Sequence, residues 1–397
     1  MTKRKIYLDN NSTTQCDPQV LDAMLPYFSE HYANPSATHS MGRFTRKAIE
    51  QARAEVASLI NAKPNEIVFT SSGTEADNLA IRGISKALMG KGNHVIISSI
   101  EHSAIIHSLD HIKKWQMGEV THLPVNHYGI VDPDDLRQVI TERTILVSII
   151  HSNNEIGTIQ SIKELCAIAH KKGIYFHTDA VASAGKIPLD VKTLGVDLLT
   201  ISGHKIHGPK GVGALYVKED TQIEGMIHGG HQEYGIRPGT ENLTGIVGLG
   251  KASMLAMNQL KQDECKKIET LRNYLEIGIK NRIPEVKVNG HPTQRLCNTL
   301  NVSIAYVEGE ALLMNLDLEG IAVAAGSACS TGKSEPSHVL KAMGVEDKYI
   351  NSPIRFSLDK NNTKEEIDYT IETLVKIVER LRAISPLWKE PKPAPQT

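Results

Sequence analysis

Between two apolar runs of this sequence stands the segment Ser202-Gly203-His204-Lys205-Ile206-His207-Gly208-Pro209-Lys210-Gly211. The runs on either side, 197–201 and 214–217, predict buried strands. The glycines of the segment allow its backbone to approach another group closely. A lysine that is fixed at the end of a strand can act as a nucleophile, although most lysines are simply exposed charges. Which role Lys205 has depends on what the rest of the chain brings to it.

The composition is that of an ordinary globular protein, with 397 residues, 40% hydrophobic and 22% charged. A net charge of -1 without a basic block favours neither nucleic acid nor an anionic membrane as a partner. No apolar run approaches the roughly 20 residues that span a bilayer. The five cysteines are odd in number and lack Cys-x-x-Cys spacing. This pattern argues against a disulfide framework or a zinc site, so we expect no metal and a reducing, cytoplasmic location.

Apolar runs and helical periodicities alternate along the first two thirds of the chain. Runs that predict strands occur at 67–70, 94–98, 120–124, 145–150 and 174–178, with helical patterns between them. This alternation predicts an α/β fold with a mainly parallel central sheet and helices on both faces.

The last third of the chain changes character. A long helical stretch over 243–280 leads to mixed strands and helices, which predict a smaller α+β C-terminal domain. We expect a large domain over 15–260, a small domain over 1–14 and 261–385, and a proline-rich flexible tail over 386–397.

Polar residues follow the ends of five predicted strands. They are Ser71 to Thr74, Glu101 with His102, Asn153 to Glu155, Asp179, and Ser202 to Lys205. The carboxyl ends of parallel strands meet at one edge of a sheet, where ligands collect. Taken singly, most of these residues could be helix caps or loop residues. Together they predict a binding site at that edge.

Pyridoxal 5'-phosphate (PLP) needs a lysine for its aldehyde, a carboxylate for its ring nitrogen, a phosphate cradle and a group against the ring. Lys205 is the candidate lysine and Asp179 the candidate carboxylate, while His102 could lie against the ring. The strand, turn and helix start around Gly73 and Thr74 are typical of an anion site, which Ser202 and His204 could complete.

A second candidate site is the segment Gly326-Ser327-Ala328-Cys329-Ser330-Thr331-Gly332-Lys333. A cysteine among small and polar residues is not placed like a core cysteine, although free cysteines are usually buried. Loop flexibility and the nearby Lys333 would favour a nucleophilic thiolate at Cys329.

These fragments resemble, in this order and over nearly the whole length, the cysteine desulfurases of the NifS/IscS class. The motifs that carry the resemblance are Tyr7-Leu8-Asp9-Asn10, Glu101-His102, Asn153-Asn154-Glu155-Ile156-Gly157-Thr158, His177-Thr178-Asp179-Ala180, Ser202-Gly203-His204-Lys205, Gly239-Thr240, Gly326-Ser327-Ala328-Cys329, Ser337-His338-Val339-Leu340 and Ile354-Arg355-Phe356-Ser357-Leu358. This family consists of PLP enzymes of the aspartate-aminotransferase fold type, also called fold type I.

The resemblance implies a role for each candidate residue. Lys205 would bind PLP covalently, Asp179 would pair with the ring nitrogen, and His102 would stack on the ring and take part in catalysis. The phosphate would be bound by Gly73, Thr74, Ser202 and His204, and by Thr240 from the other subunit of a homodimer. Asn154 would contact the cofactor and, with Arg355, the substrate carboxylate.

The resemblance also implies a reaction and partners. L-Cysteine would be converted to L-alanine, with a persulfide left on Cys329. That sulfur would pass to an iron–sulfur scaffold or another acceptor protein, for cluster assembly or tRNA thiolation. Two alternatives stay open, a selenocysteine lyase and a catalytically weak PLP-fold scaffold protein.

One position departs from the family pattern. Family members usually carry a glutamine three residues after the aspartate, where it hydrogen-bonds the phenolic oxygen of the ring. Here that position is Ala182. The hydrogen bond would be absent or would come from another group, such as Ser183 or a water.

Overall fold

The computed structural model describes residues 5–116, 118–325 and 336–388. The strands are β1 (Ile6–Tyr7), β2 (Ile67–Thr70), β3 (His94–Ser98), β4 (Glu119–Leu123), β5 (Thr144–Ser148), β6 (Tyr175–Asp179), β7 (Leu198–Ser202), β8 (Gly213–Val217), β9 (Val286–Asn289), β10 (Thr299–Ile304), β11 (Ile321–Ala322) and β12 (Pro353–Ser357). The helices are α1 (Pro18–Met24), α2 (Pro26–Ser29), α3 (Ser40–Leu59), α4 (Gly73–Ala87), α5 (Ser103–Gln116), α6 (Pro133–Val139), α7 (Ile162–His170), α8 (Val191–Leu194), α9 (Leu243–Lys261), α10 (Glu264–Arg282), α11 (Gly309–Leu318), α12 (His338–Ala342), α13 (Asp347–Ile350) and α14 (Lys364–Ala383), with 3₁₀ turns at Pro64–Glu66, Gly203–Lys205 and Gln232–Gly235.

A seven-stranded sheet forms the centre of the molecule, in the order β2-β8-β7-β6-β5-β3-β4. Strands β3 to β7 are parallel to one another, whereas β8 is antiparallel to both of its neighbours, β7 and β2. The direction reverses at β8 because the segment 203–212 is shorter than the dozen or more residues that a parallel crossover requires. The predicted α/β class with a mainly parallel sheet is confirmed.

Both faces of this sheet are covered, because neighbouring residues on a strand point to opposite sides. Ile96 of β3 joins one apolar cluster, with residues of α3, α7 and α9. Its neighbours Val95 and Ile97 join another, with residues of α4 and α5. The sheet is therefore sandwiched between two layers of helices, as expected for this class.

A smaller sheet, β12-β10-β9, is antiparallel and packs with α10, α11 and α14. Its apolar cluster also contains Ile6 and Leu8 from the start of the chain, and β1 pairs with β11. The N-terminal residues thus pack with the C-terminal third. The boundaries of the two domains, 15–260 against 1–14 with 261–385, stay a prediction.

Two local differences from the sequence predictions have simple causes. The helical stretch 243–280 is two helices, because Asp263 between α9 and α10 adopts a left-handed backbone with φ 54°. The start of the predicted tail is packed, since the ring centroid of Trp388 lies 5.5 Å from that of Tyr306, at a tilt of 54°, and 4.2 Å from the guanidinium of Arg382. Among the described helices, no segment has the length and hydropathy to cross a membrane.

Candidate active site

A cavity of about 390 Å³ opens at the carboxyl ends of the parallel strands. It falls within the range of about 300–1,000 Å³ that is usual for small-molecule sites. The residues of the sequence-predicted site that line it are Gly73, Thr74, His102, Asn154, Asp179, Ser202, His204, Lys205 and Arg355. The topology explains the convergence, because Asp179 and Ser202 end the adjacent strands β6 and β7, and Lys205 lies on the following 3₁₀ turn.

One end of the cavity suits a phosphate. Helix α4 begins at Gly73, so free backbone N–H groups and the positive end of the helix dipole face the cavity. The hydroxyl of Ser202 is buried and has no hydrogen-bond partner among the described residues. A Cβ at Gly73 would lie only 2.9 Å from Val181 Cγ2, so a side chain there would crowd this cradle.

His204 lines the same end of the cavity as a neutral imidazole. Burial, with further contributions from Lys205 and Lys210, lowers the pKa of His204 to about 4. Its Nδ1 lies 3.2 Å from Thr13 Oγ1. At neutral pH this side chain can offer a hydrogen bond to an anion, but no positive charge.

A buried pair of carboxyl groups, Asp77 and Asp179, forms another wall. Burial raises the pKa of each, and the charge of Asp179 raises the pKa of Asp77 further. Asp179 Oδ1 accepts a hydrogen bond of 2.8 Å from the backbone N–H of Val181, whereas Asp77 Oδ1 has no hydrogen-bond partner in the described part of the chain. Ligand atoms of the two carboxyls and of His102 lie within 4.8 Å of one another. This wall can stabilise a cationic group, and a protonated pyridine nitrogen is such a group.

The amine of Lys205 is held by the N-terminal segment. Its Nζ donates hydrogen bonds to the backbone oxygens of Asn11, at 2.5 Å, and Ser12, at 2.7 Å. These contacts point the side chain along the cavity wall. The phosphate end, the carboxylates and this amine together fit the three anchoring groups of PLP.

Arg355, from β12, presents its guanidinium to the same cavity and is 1% exposed. It donates hydrogen bonds to Asn154 O at 3.1 Å, Asp9 Oδ1 at 2.8 Å and Ser12 Oγ at 2.7 Å. Its Nε has no partner among the described residues. A planar guanidinium fixed in this way is suited to a carboxylate ligand.

Several cavity residues escaped the sequence predictions. Asn11 and Ser12 stand in a polar cluster that is typical of a turn, and only the fold brings them to Lys205. Asp77 lies on the buried face of α4, one turn after Gly73. A charged residue on an otherwise apolar helix face was the signal that could have identified it.

The residues around Ala182 show whether Ser183 could replace the usual glutamine. The hydroxyl of Ser183 is buried between His151 Nδ1, at 2.9 Å, and Ser152 Oγ, at 2.6 Å, and Ser183 does not line the cavity. Lys186 does line it, and its Nζ donates to the backbone oxygens of Ala182, at 3.1 Å, and Lys205, at 3.4 Å. Ser183 is thus not placed to replace the usual glutamine.

Two predicted residues, Thr240 and Cys329, are not among the described residues that line this cavity. Thr240 is exposed in the loop before α9 and does not line the cavity of its own chain. Cys329 lies outside the described residues. The described backbone on either side of it does approach the site, since Ala324 pairs with Arg355 and the Ser337 hydroxyl donates a 2.6 Å hydrogen bond to Glu155 Oε2.

Glu101, the neighbour of His102 in the chain, is a buried carboxyl group. Its Oε1 accepts hydrogen bonds from the Ser98 hydroxyl and, at 2.8 Å, from Ile150 N–H. Burial raises the pKa of Glu101 from the usual 4.5 to about 8. The folded protein therefore holds a proton here that the unfolded chain releases, so the group's contribution to stability declines as the pH rises through this interval.

We expect Glu101→Gln to reduce this pH dependence. The amide oxygen keeps both hydrogen bonds but carries no charge, so the free energy of unfolding should rise relative to wild type at about pH 8 more than at about pH 5. Denaturant titrations at both pH values measure the difference. Glu142→Gln is the control, because Glu142 is exposed, and it should leave the change in the free energy of unfolding between the two pH values as in wild type. The same change in Glu101→Gln as in wild type would contradict the expectation.

Comparison with known proteins agrees with this geometry. The aminotransferase class-V family model matches residues 6–370. A cysteine desulfurase IscS of Dictyoglomus turgidum is 50% identical over 388 residues, which are 98% of this chain and 98% of that protein. A cysteine desulfurase IscS of Methanosarcina thermophila is 48% identical over 387 residues, 97% of this chain and 94% of that protein.

Solved structures give the same result. A NifS-like protein superposes with a TM-score of 0.89 at 36% identity, over 95% of this chain and 100% of that one. The structure of SspA in complex with cysteine superposes with a TM-score of 0.79 at 33% identity, over 90% of this chain and 100% of that one. The chain therefore belongs to the PLP-dependent aminotransferase class-V family and, within it, to the cysteine desulfurases of the NifS/IscS class.

Proposed function

We propose that this protein converts L-cysteine to L-alanine and takes up the sulfur as a persulfide on Cys329. One observation carries the proposal. A single cavity is lined by Lys205, Asp179 and Arg355. The backbone of Ala324 pairs with that of Arg355, and the Ser337 hydroxyl binds Glu155. The described residues on both sides of the Cys329 segment therefore contact residues at or next to the substrate site.

Each of these residues has a separate role in the proposed reaction. PLP, when bound, supplies a ring that withdraws electrons from the substrate's α-carbon. Asp179 keeps the ring nitrogen protonated, Arg355 binds the substrate carboxylate, and Lys205 Nζ is placed to receive or return a proton. The Cys329 thiolate attacks the substrate sulfur, so that an S–S bond forms while the carbon–sulfur bond breaks. The electron pair of that bond remains on carbon, which takes up a proton to become the methyl group of alanine.

The test is a single-turnover reaction of the full chain with cysteine. We expect alanine to form in equal amount to a mass gain of one sulfur atom on Cys329. Alanine without that mass gain would overturn the persulfide role. Sulfur on another cysteine would also overturn it. The acceptor would be an iron–sulfur scaffold or another sulfur-accepting protein, and we place the reaction in the cytoplasm, where thiols stay reduced.

Asp179→Asn should lower cysteine turnover by about 10²–10³-fold, the usual cost of removing one preorganised electrostatic group. The amide cannot hold a proton on the ring nitrogen, whereas the covalent attachment to Lys205 should persist. Steady-state kinetics and the visible absorbance of the bound cofactor measure the two effects. Asp77→Asn is the matched control, with an expected smaller loss. A larger loss for Asp77→Asn would assign the ring nitrogen to Asp77.

We propose further that two copies of the chain form the active unit. Large apolar side chains stand exposed on α1, α2, the start of α3 and the residues between these helices, namely Leu21, Leu25, Phe28, Tyr32, Met41 and Phe44. The ring centroids of Phe44 and His31 lie 4.5 Å apart, and those of His31 and Tyr27 lie 5.6 Å apart, so the start of α3 packs beside α2. Exposed apolar surfaces of this kind mark interfaces. Thr240 does not line the cavity of its own chain. In a dimer it would reach the cavity of the other copy.

Leu25→Glu combined with Phe28→Glu should convert the dimer to a monomer, because two charges would be buried at the interface. Analytical ultracentrifugation measures the change. Met314→Glu is the control, since Met314 is 67% exposed on α11, outside this surface, and it should leave the dimer intact. Dissociation by the control, or a dimeric double variant, would contradict this interface.

A further inference from the structure

Two cysteines that the proposed reaction does not use, Cys265 and Cys297, are neighbours in the folded chain. Cys265 is half-buried in the first turn of α10, and Cys297 is 8% exposed just before β10. Both cysteines line the same small cavity. In the described part of the chain the other cysteines, Cys16 and Cys166, have no such thiol neighbour, and Cys166 instead lies 3.8 Å from His170 Nε2.

Lys186 makes the two sulfurs chemically unequal. The Cys265 thiol contacts the backbone oxygen of Lys186 at 2.7 Å. The neighbouring Cys297 thiol, together with the charge of Lys186, lowers the pKa of Cys265. The Cys265 thiol in turn raises the pKa of Cys297. Cys265 is therefore the thiol of the pair that ionises more readily to a nucleophilic thiolate, and Cys297 is the thiol that stays protonated beside it.

A small cavity of about 40 Å³ gives access to both sulfurs. Its lining includes Cys265, Cys297, Lys186 and Asn298. A water molecule needs about 10–15 Å³ on this measure, so the space admits hydrogen peroxide but not a bulky disulfide such as oxidised glutathione. The geometry selects a small oxidant.

We propose that Cys265 and Cys297 form a peroxide-responsive redox pair that closes to an intramolecular disulfide. The Cys265 sulfur attacks one oxygen of hydrogen peroxide, the O–O bond breaks, and one water leaves as Cys265 becomes a sulfenic acid. The Cys297 sulfur then attacks the Cys265 sulfur, and the hydroxyl leaves with the thiol proton as a second water. Two thiols lose two electrons and two protons, and the peroxide is reduced to two waters.

The position of the pair links it to the catalytic lysine. Closing the disulfide changes the 2.7 Å contact between the Cys265 sulfur and the backbone oxygen of Lys186, because that sulfur then bonds to Cys297. Lys186 in turn donates from Nζ to the backbone oxygens of Ala182 and Lys205 at the edge of the active-site cavity. Lys186 therefore lies between the cysteine pair and the PLP site, because it lines both cavities.

The test uses the PLP-loaded full chain with Cys329→Ala, so that the reactive thiol assigned to catalysis does not compete. After hydrogen peroxide, alkylation and proteolysis, mass spectrometry should find the Cys265 and Cys297 peptides joined with loss of two hydrogen atoms, and separated again by dithiothreitol. Adding Cys297→Ser should abolish the link and leave a sulfenic acid on Cys265 that dimedone captures. Cys166→Ser is the matched control and should leave the link unchanged.

Three results would overturn the proposal. One is that Cys265 and Cys297 are both alkylated after peroxide treatment. Another is that Cys265 links to a different cysteine. The third is that Cys297 is oxidised at the wild-type rate when Cys265→Ser is present, because Cys265 would then not be the attacking sulfur.

Discussion

Lys205→Ala should yield a protein that no longer binds PLP covalently and that turns over cysteine at least about 10⁴-fold more slowly. That factor is the upper end of what a positioned proton-transfer group contributes, and the covalent attachment is lost in addition. Among the described residues, Lys186 is the other lysine that lines the cavity. Its Nζ is turned to the backbone oxygens of Ala182 and Lys205, so we do not expect it to substitute.

Borohydride reduction followed by peptide mapping measures the attachment, and sulfide release measures turnover. Lys210→Ala is the matched control, because Lys210 is exposed in the same loop and should retain both properties. If wild-type protein carried the reduced cofactor on Lys186, the assignment of Lys205 would be wrong. The same would hold if Lys205→Ala kept wild-type turnover.

Cys329→Ala should separate the two halves of the reaction. The cofactor should remain attached to Lys205 with an unchanged spectrum, while sulfide release from cysteine falls by about 10³-fold or more, as removal of a nucleophile does in other enzymes. The reason is chemical: without that thiol, no group of the chain is assigned to take the sulfur from the substrate.

Cys16→Ala supplies the comparison for this variant, since Cys16 is half-buried and does not line the cavity. It should release sulfide at the wild-type rate. Sulfide release at an unchanged rate by Cys329→Ala would exclude the persulfide role. Loss of cofactor attachment in the same variant would show instead that the substitution disturbs the PLP site itself.

The sequence predicted the strands best where an apolar run ends sharply in polar residues. Strands 67–70 and 94–98 have the predicted bounds, because Ser71 follows the first and Ser99 the second. The break between α9 and α10 was not predictable in this way, since neither glycine nor proline marks it. Only the backbone of Asp263 turns there.

The candidate site was predictable to the extent that each residue follows the end of a strand. Asp179 and Lys205 belong to adjacent strand ends, so the fold class alone brings them together. Asn11 and Ser12 hold Lys205 across nearly half the chain, and no local pattern encodes that contact. Asp77 was missed for a different reason, because helices usually turn their charged residues to solvent.

The pairing of β1 with β11, and of Asp9 with Arg355, has a consequence for biosynthesis. A ribosome makes residues 6–12 first, yet the partners of this segment emerge only after some three hundred more residues have been translated. Until then β11 and Arg355 cannot hold residues 6–12 in place beside Lys205, so we expect a nascent chain not to bind its cofactor early. Contacts between distant parts of a chain also form slowly. The newly synthesised enzyme should therefore bind PLP, and gain its visible absorbance, only after release from the ribosome.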